Sequence, residues 1–127
     1  MEQTVMILVD TNILIEIYRS NKKIIDVIKE IGQENITVSD ITCAELYFGA
    51  RNKHELNSIS KDLTKLTVIP INQEISETAV SLVKKFALSH KLSIPDALIA
   101  ATAIIHGLPL FTLNKKDFSY LPDLQLT

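Results

Sequence analysis

Four stretches of the chain are short, almost continuously apolar, and bounded by polar or turn-forming residues. Runs of this kind predict strands that are covered on both faces, as in parallel sheets. Pro70 lacks an N–H group, so we expect the third strand to end there or to lie at a sheet edge. The predicted strands lie at residues 5–9, 35–38, 66–71 and 109–113, and residues 124–126 are a candidate fifth strand.

Between these runs, the apolar residues recur with the period of an amphipathic helix. Asn21 and either Ser39 or Asp40 are predicted to cap helices at their amino ends, whereas Gly32 and Gly107 are predicted to end them. Pro95 is expected in the first turn of the last helix. The predicted helices lie around residues 13–18, 24–31, 39–50, 53–64, 73–89 and 95–106.

Strands that alternate with helices predict an α/β fold with a central parallel sheet of four to five strands and right-handed crossovers. The length of 127 residues suits one domain, which we expect to span residues 1–127. In open parallel sheets, binding sites lie at the carboxyl ends of the strands. Polar residues that follow the predicted strands are therefore the first candidates for a functional site.

Composition narrows the class of protein. No apolar run approaches the ~20 residues of a membrane span, and the amino terminus has neither a basic segment nor a cleavage site typical of a signal peptide. A single cysteine, Cys43, cannot form an internal disulfide, which fits a reducing cytoplasm. The net charge of −2 argues mildly against a nucleic-acid binder, although 13 Lys and Arg residues could cluster on one face.

Four acidic residues stand where the predicted fold would bring them together. Asp10 follows the first strand, Asp96 opens an almost wholly apolar helix, Glu45 lies within another apolar helix, and Asp117 follows the fourth strand. Each has an ordinary structural explanation on its own. Asp10 could cap a helix, Asp96 could interact with a helix dipole, and the other two could be solvated surface acids.

Taken together, the four acids favour a metal site. Two carboxylates ~5 Å apart repel each other by ~3 kcal/mol at an effective dielectric constant of ~20, and a fold would avoid this cost unless a cation offset it. Clustered oxygen ligands without His or Cys suit a hard cation, Mg²⁺ or Mn²⁺. Sites of this kind hydrolyse phosphodiesters by activating water and stabilising the leaving oxygen.

Other chemistries find less support in the chain. His54, His90 and His106 lack the spacing of zinc ligands. The nucleotide-binding loop motifs G-x-x-x-x-G-K-[ST] and G-x-G-x-x-G are both absent from the sequence. A receiver-like domain would need a phosphorylatable Asp after its middle strand, which "LTVIPINQE" does not offer. A haloacid-dehalogenase-type phosphatase needs a D-x-D motif, and "DTN" lacks the second acid.

Four motifs resemble those of PIN domains, and more narrowly those of VapC-type ribonuclease toxins from bacterial toxin–antitoxin pairs. They are "VDTNILI" near the amino terminus, T-x-x-E-L-x-x-G at residues 42–49, "PDALIAATA", and T-x-N-x-x-D-F at residues 112–118. Each motif is weak alone, but their combination, order and spacing are specific. The resemblance covers roughly residues 5–127.

The resemblance implies an α/β/α sandwich and a Mg²⁺- or Mn²⁺-dependent endoribonuclease. Asp10, Glu45 and Asp96 match the three acids of the family, and Asp117 is the expected fourth, with Asn114 as a supporting polar ligand or water-positioning group. The side chains expected to hold the carboxylates in place are Thr11, Asn12 and Thr112.

The resemblance also implies an RNA substrate, a homodimer, and an antitoxin that wraps the toxin and blocks its acidic pocket. Two alternatives stay open. The chain could be a PIN nuclease of RNA processing without an antitoxin, or a non-catalytic PIN-fold module that binds RNA or protein. All three main acids are present, which argues against the non-catalytic module. A small antitoxin reading frame beside the gene would favour the toxin over the processing nuclease.

Overall fold

A computed structural model describes residues 5–127, so the first four residues of the expected domain 1–127 lie outside the described part of the chain. The described residues contain a sheet of four strands: β1 Ile7–Val9, β2 Ile36–Ser39, β3 Thr67–Ile69 and β4 Leu110–Phe111. Every pairing is parallel, and the strand order is β3-β2-β1-β4. In the centre of the sheet, Leu8 is in register with Thr37 on one side and Leu110 on the other.

In the described part of the chain, six α-helices connect and cover the strands. Their amino ends are capped as the sequence predicts: Asn21 accepts a hydrogen bond from the backbone N–H of Ile24, and Ser39, rather than Asp40, caps the third helix. The helices are α1 Thr11–Tyr18, α2 Lys22–Ile31, α3 Asp40–Phe48, α4 Lys53–Leu63, α5 Gln73–His90 and α6 Ile94–His106. Two short 3₁₀ turns lie at Gln33–Asn35 and Lys115–Asp117.

The helices form a layer on each face of the sheet. Successive side chains of a strand point to opposite faces. Leu8 therefore packs into a core with residues of α5 and α6, while Val9 packs into a second core with residues of α1 to α4. Both residues are fully buried. The predicted three-layer α/β/α sandwich is thus confirmed.

Helix α6 is buried along most of its length, as its composition predicts. Ala97, Ala100, Ala101 and Ala103 are at most 1% exposed and lie in the core shared with α5. Small side chains at these positions let the backbone of α6 approach its neighbours closely. The helix therefore has a firmly fixed amino end, and that end carries Asp96.

The last two predicted strands differ from the structure. β4 has two residues rather than the predicted five. In the segment that follows it, the hydroxyl of Thr112 accepts the N–H of Asn114. The candidate fifth strand is a single parallel bridge between Leu126 and Leu110. β3 ends at Ile69, directly before Pro70, as expected. None of the helices among residues 5–127 is both long and apolar enough to cross a membrane.

Candidate active site

Asp10 links the end of β1 to the start of α1. Its Oδ1 atom accepts a 2.7 Å hydrogen bond from the N–H of Thr11, so it is the amino-terminal cap of α1. Its own N–H donates to the carbonyl of Phe111 at 2.9 Å, which ties it to β4. The residue is 6% exposed. The capping role therefore uses only one carboxylate oxygen, and Oδ2 points to a different partner.

That partner is Thr112, which follows β4. The Thr112 hydroxyl lies 2.8 Å from Asp10 Oδ2. The same hydroxyl accepts from the backbone N–H of Asn114 at 3.0 Å and from the side-chain amide of Asn12 at 3.4 Å. Because two N–H donors occupy its lone pairs, the single hydroxyl proton is directed to Asp10. The carboxylate is therefore held at both oxygens.

The two asparagines reach the site through Thr112 rather than through a carboxylate. The side-chain oxygen of Asn12 accepts from the N–H of Leu113 at 3.4 Å, so Asn12 connects α1 to the segment after β4. Asn114 contributes its backbone N–H to the Thr112 hydroxyl, and its side chain is exposed. This differs from the expectation that Asn12 holds a carboxylate itself.

Glu45 is positioned from α3 by a pair of threonines. The Thr11 hydroxyl donates to Glu45 Oε1 at 2.7 Å, and the Thr42 hydroxyl lies 3.0 Å from Thr11 Oγ1. Thr42 is fully buried and Thr11 is 8% exposed, so water competes little for these bonds. Since Thr11 follows Asp10 directly, one turn of backbone orients two of the four acids.

Asp96 lies in the first turn of α6. The Ser93 hydroxyl caps this helix by accepting the N–H of Asp96 at 3.2 Å. Asp117 ends the 3₁₀ turn after β4, where its N–H donates to the carbonyl of Asn114 at 3.0 Å, and its side chain is exposed. The four acids thus come from four separate segments of the chain.

The charges of neighbouring acids act on the carboxyl groups of Asp10 and Asp96. Burial, followed by the charge of Asp10, raises the pKa of Asp96 from 3.8 to about 6, and the charges of Asp117 and Glu45 add to this. Burial also raises the pKa of Asp10, with further contributions from the charges of Glu45 and Asp117, while the bonds from Thr112 and Thr11 oppose the rise. The pKa of Asp96 is raised although the residue lies in the first turn of α6, where the helix dipole favours a negative charge.

The donor set fits a hard divalent cation. It consists of carboxylate oxygens, which Mg²⁺ and Mn²⁺ prefer, and two of these carboxylates have raised pKa values that a bound cation would lower again. Among residues 5–127, however, no three His, Cys, Asp or Glu side chains lie close enough together to bind one metal ion as they stand. The acids therefore interact across the space between them and do not form a closed ligand shell.

Two residues of this site were missed in the sequence analysis as positioning groups. Thr42 lies three residues before Glu45, a spacing that puts both on the same face of α3. Ser93 lies three residues before Asp96, a spacing typical of a helix cap. Thr42 reaches Glu45 only through Thr11, which is distant in sequence, so this contact had no local signal.

Comparisons with known proteins agree with the fold and the motifs. The model of the PIN domain family matches residues 7–124. The chain is 29% identical to Ribonuclease VapC19 of Mycobacterium tuberculosis over 123 residues, covering 94% of this chain and 98% of that protein. It is 32% identical to Ribonuclease VapC1 of Methanocaldococcus jannaschii, covering 94% and 84% of the two chains.

A solved structure gives the same result. The fold is similar to that of a chain in a toxin–antitoxin complex from Klebsiella pneumoniae, with a TM-score of 0.78 and 35% identity over 93% of this chain and 94% of that one. The resemblance inferred from the four sequence motifs is therefore confirmed. The chain belongs to the PIN domain family, in which it is similar to several VapC ribonucleases.

Proposed function

We propose that the chain is the toxin of a toxin–antitoxin pair and acts as a metal-dependent endoribonuclease that hydrolyses RNA phosphodiester bonds. The observation that carries this proposal is the grouping of Asp10, Glu45, Asp96 and Asp117, in which Thr112 and Thr11 hold two of the carboxylates and the neighbouring charges help to raise the pKa values of Asp10 and Asp96. A purely structural set of acids gains nothing from this arrangement, which costs folding free energy whenever no cation is bound.

Asp10, Glu45, Asp96 and Asp117 would hold Mg²⁺ or Mn²⁺. When bound, such an ion activates water for attack on phosphorus and stabilises the leaving oxygen. The ion would also reduce the repulsion between these acids and the phosphates of RNA. Asp117 is the most exposed of the four, so we assign it a supporting part at the edge of the site.

The remaining polar residues keep the carboxylates in place. Thr112 fixes Oδ2 of Asp10, and Thr11 fixes Oε1 of Glu45. Both hydroxyls are buried, so the orientation of each carboxylate is set before RNA or metal arrives. Preorganisation of this kind avoids the free-energy cost of ordering the ligands during the reaction.

Two exposed lysines flank the acidic site. Lys115 and Lys116 share the 3₁₀ turn with Asp117. Their charges lie beside Asp117, at the edge of the acidic site. We propose that they contact the RNA backbone without reading its sequence.

We propose that the antitoxin occupies the groove between α1, α3 and α4. The groove holds a cavity of about 670 Å³ that is lined by Ile15, Tyr18 and Leu46 and that reaches Glu45. A segment seated there would block the acidic site. Ile13 of α1 and Ile24 of α2 are buried in the core. Ile17 and Ile28 line a smaller cavity of about 290 Å³ beside Tyr18.

The location and oligomeric state of the protein are inferred from its membership of the PIN domain family. We propose a cytoplasmic protein that forms a homodimer, with oligomeric state to be measured by light scattering on the purified chain. Co-purification of the untagged neighbouring gene product tests the antitoxin. A toxic phenotype that this neighbour does not suppress would support the processing nuclease instead.

The activity itself is tested by incubating the purified chain with total bacterial RNA and mapping the cleaved ends. We expect discrete cuts in Mn²⁺ and none in EDTA. The matched control is Asp10→Asn, which preserves the size of the side chain and can still cap α1 through its amide oxygen. Equal cleavage in EDTA would refute the metal-dependent mechanism.

A further inference from the structure

A cluster of aromatic rings lies at the carboxyl end of α5. The rings of His90 and Tyr120 are stacked, with centroids 3.8 Å apart and planes inclined by 10°. Phe86 meets the edges of both, at 5.8 Å from His90 and 5.2 Å from Tyr120. His90 Nδ1 lies 2.8 Å from the Ser89 hydroxyl, which restrains the rotation of the imidazole. The stack is therefore an ordered surface.

The stack is next to the acidic site. Tyr120 comes three residues after Asp117, and His90 comes six residues before Asp96, at the other end of the short connection between α5 and α6. The site acids also affect the tyrosine directly, because burial and then the charges of Asp96 and Asp117 raise the pKa of its phenol. The rings and the carboxylates thus share one region of the surface.

Packing explains only part of this cluster. Phe86 and Tyr120 are partly buried and contact the core between α5, α6 and the sheet. His90 is exposed and does not belong to that core. One face of its imidazole is covered by Tyr120, and the residue as a whole stays exposed to solvent. An exposed aromatic ring held parallel to a second ring is the arrangement used to stack unpaired bases.

We propose that His90, stacked on Tyr120, forms a platform for an unpaired nucleobase of the RNA next to the phosphodiester that is cut. This inference rests on the proposed function, because it takes the acidic site as the place of cleavage. The platform would position the RNA strand and influence which nucleotide is accepted there. Neither residue takes part in proton transfer.

The test measures base stacking without cleavage. The probe is a short single-stranded oligouridylate that carries one central 2-aminopurine, whose fluorescence falls when it stacks on another ring. The protein is the Asp10→Asn variant in Mg²⁺, so that the RNA stays intact. We expect quenching on binding. In this background, His90→Ala should abolish the quenching and weaken binding about 5- to 100-fold.

Two further variants separate stacking from general damage. His90→Phe retains a flat ring and should restore both quenching and affinity. Leu88→Ala removes a side chain that is 98% exposed on the same helix and should change neither. Thermal melts of all variants establish that they are folded.

The inference is overturned if His90→Ala binds and quenches as strongly as its parent, or if the parent itself does not quench. The proposed function fails independently of this result. Cleavage of RNA by Asp10→Asn, or no cleavage by the unsubstituted chain, would refute the nuclease mechanism, while quenching that depends on His90 would still establish the base platform.

Discussion

The Thr112 hydroxyl donates a 2.8 Å hydrogen bond to Asp10 Oδ2, across 102 residues of sequence and between adjacent strands of the sheet. The backbone N–H of Asn114 and the side-chain amide of Asn12 donate to the two lone pairs of this hydroxyl. Asp10 is therefore both the cap of α1 and a carboxylate fixed toward the acidic site. Its burial at the end of a buried strand is consistent with both roles.

Removing the Thr112 hydroxyl should impair the site more than the fold. Thr112→Val is nearly isosteric, but it leaves Asp10 Oδ2 and the N–H of Asn114 without their partner. We expect cleavage to fall about 10- to 100-fold, as for other groups that orient metal ligands, and stability to fall by about 1–3 kcal/mol. Thr112→Ser, which keeps the hydroxyl, is the control. Equal kcat/KM for the Val and Ser variants would contradict this role.

The raised pKa of Asp96 predicts how stability changes with pH. Its carboxyl titrates near 6 in the folded chain and near 3.8 when unfolded. The folded state therefore binds more protons between these values, and its stability falls as pH rises through about 6. Above that pH the full penalty of the ionised carboxylate is present.

In EDTA, Asp96→Asn should consequently melt at a higher temperature than the unsubstituted chain at pH 7.5. The difference should shrink as pH is lowered through 6 toward 4, where the native carboxyl is protonated. Thermal melts across this pH range provide the measurement. A difference that does not depend on pH would mean that the ionised carboxylate carries no penalty in the folded chain.

The elements of the fold were predictable because the information is local. The apolar run ending at Val9, the cap at Asn21 and the stop at Gly107 each act within a few residues. In the structure, β1 ends at Val9, α2 begins directly after Asn21, and α6 ends directly before Gly107. The convergence of acids on the strand ends follows from the rule for parallel sheets. Thr11 was expected to hold a carboxylate, but its pairing with Glu45 was not predictable, because it depends on how α3 packs beside α1.

The aromatic platform illustrates the same limit. His90 lacks metal-ligand spacing and Tyr120 belongs to none of the four motifs, so the sequence does not indicate a role for either residue. They meet only because the carboxyl end of α5 lies beside the segment that follows Asp117. Likewise, the apolar run at 109–113 does not reveal that β4 comprises only Leu110 and Phe111 or that the Thr112 hydroxyl accepts the N–H of Asn114.

Divalent metal should stabilise the folded chain. A ligand that binds only the folded state contributes about 2.7 kcal/mol at a hundredfold excess over its Kd. Melts at pH 7.5 should therefore shift upward in Mg²⁺ or Mn²⁺ relative to EDTA, and Asp10→Asn should gain less. Asp26→Asn, which changes an exposed acid on α2, should gain as much as the unsubstituted chain. The absence of a shift in every protein would argue that the acids hold no metal.

Loss of the cap on α6 should affect both the helix and Asp96. Ser93→Ala leaves the N–H of Asp96 without its acceptor, which should lower the free energy of unfolding by about 0.5–2 kcal/mol. The first turn that positions Asp96 should loosen, and cleavage should fall with it. Ser93→Thr supplies the same cap and should restore both. An alanine variant as stable and active as the original would show that the cap is dispensable.

The central claim is that Asp10, Glu45 and Asp96 form one metal-dependent hydrolytic site. Its most direct test is the rate of RNA cleavage in Mn²⁺ by Asp10→Asn, Glu45→Gln and Asp96→Asn, with Asp26→Asn as the matched control. We predict that each of the three lowers the rate at least about 100-fold, equivalent to roughly 2.7 kcal/mol of transition-state stabilisation, and that the control cleaves normally. Cleavage at the original rate by any of the three would contradict the account.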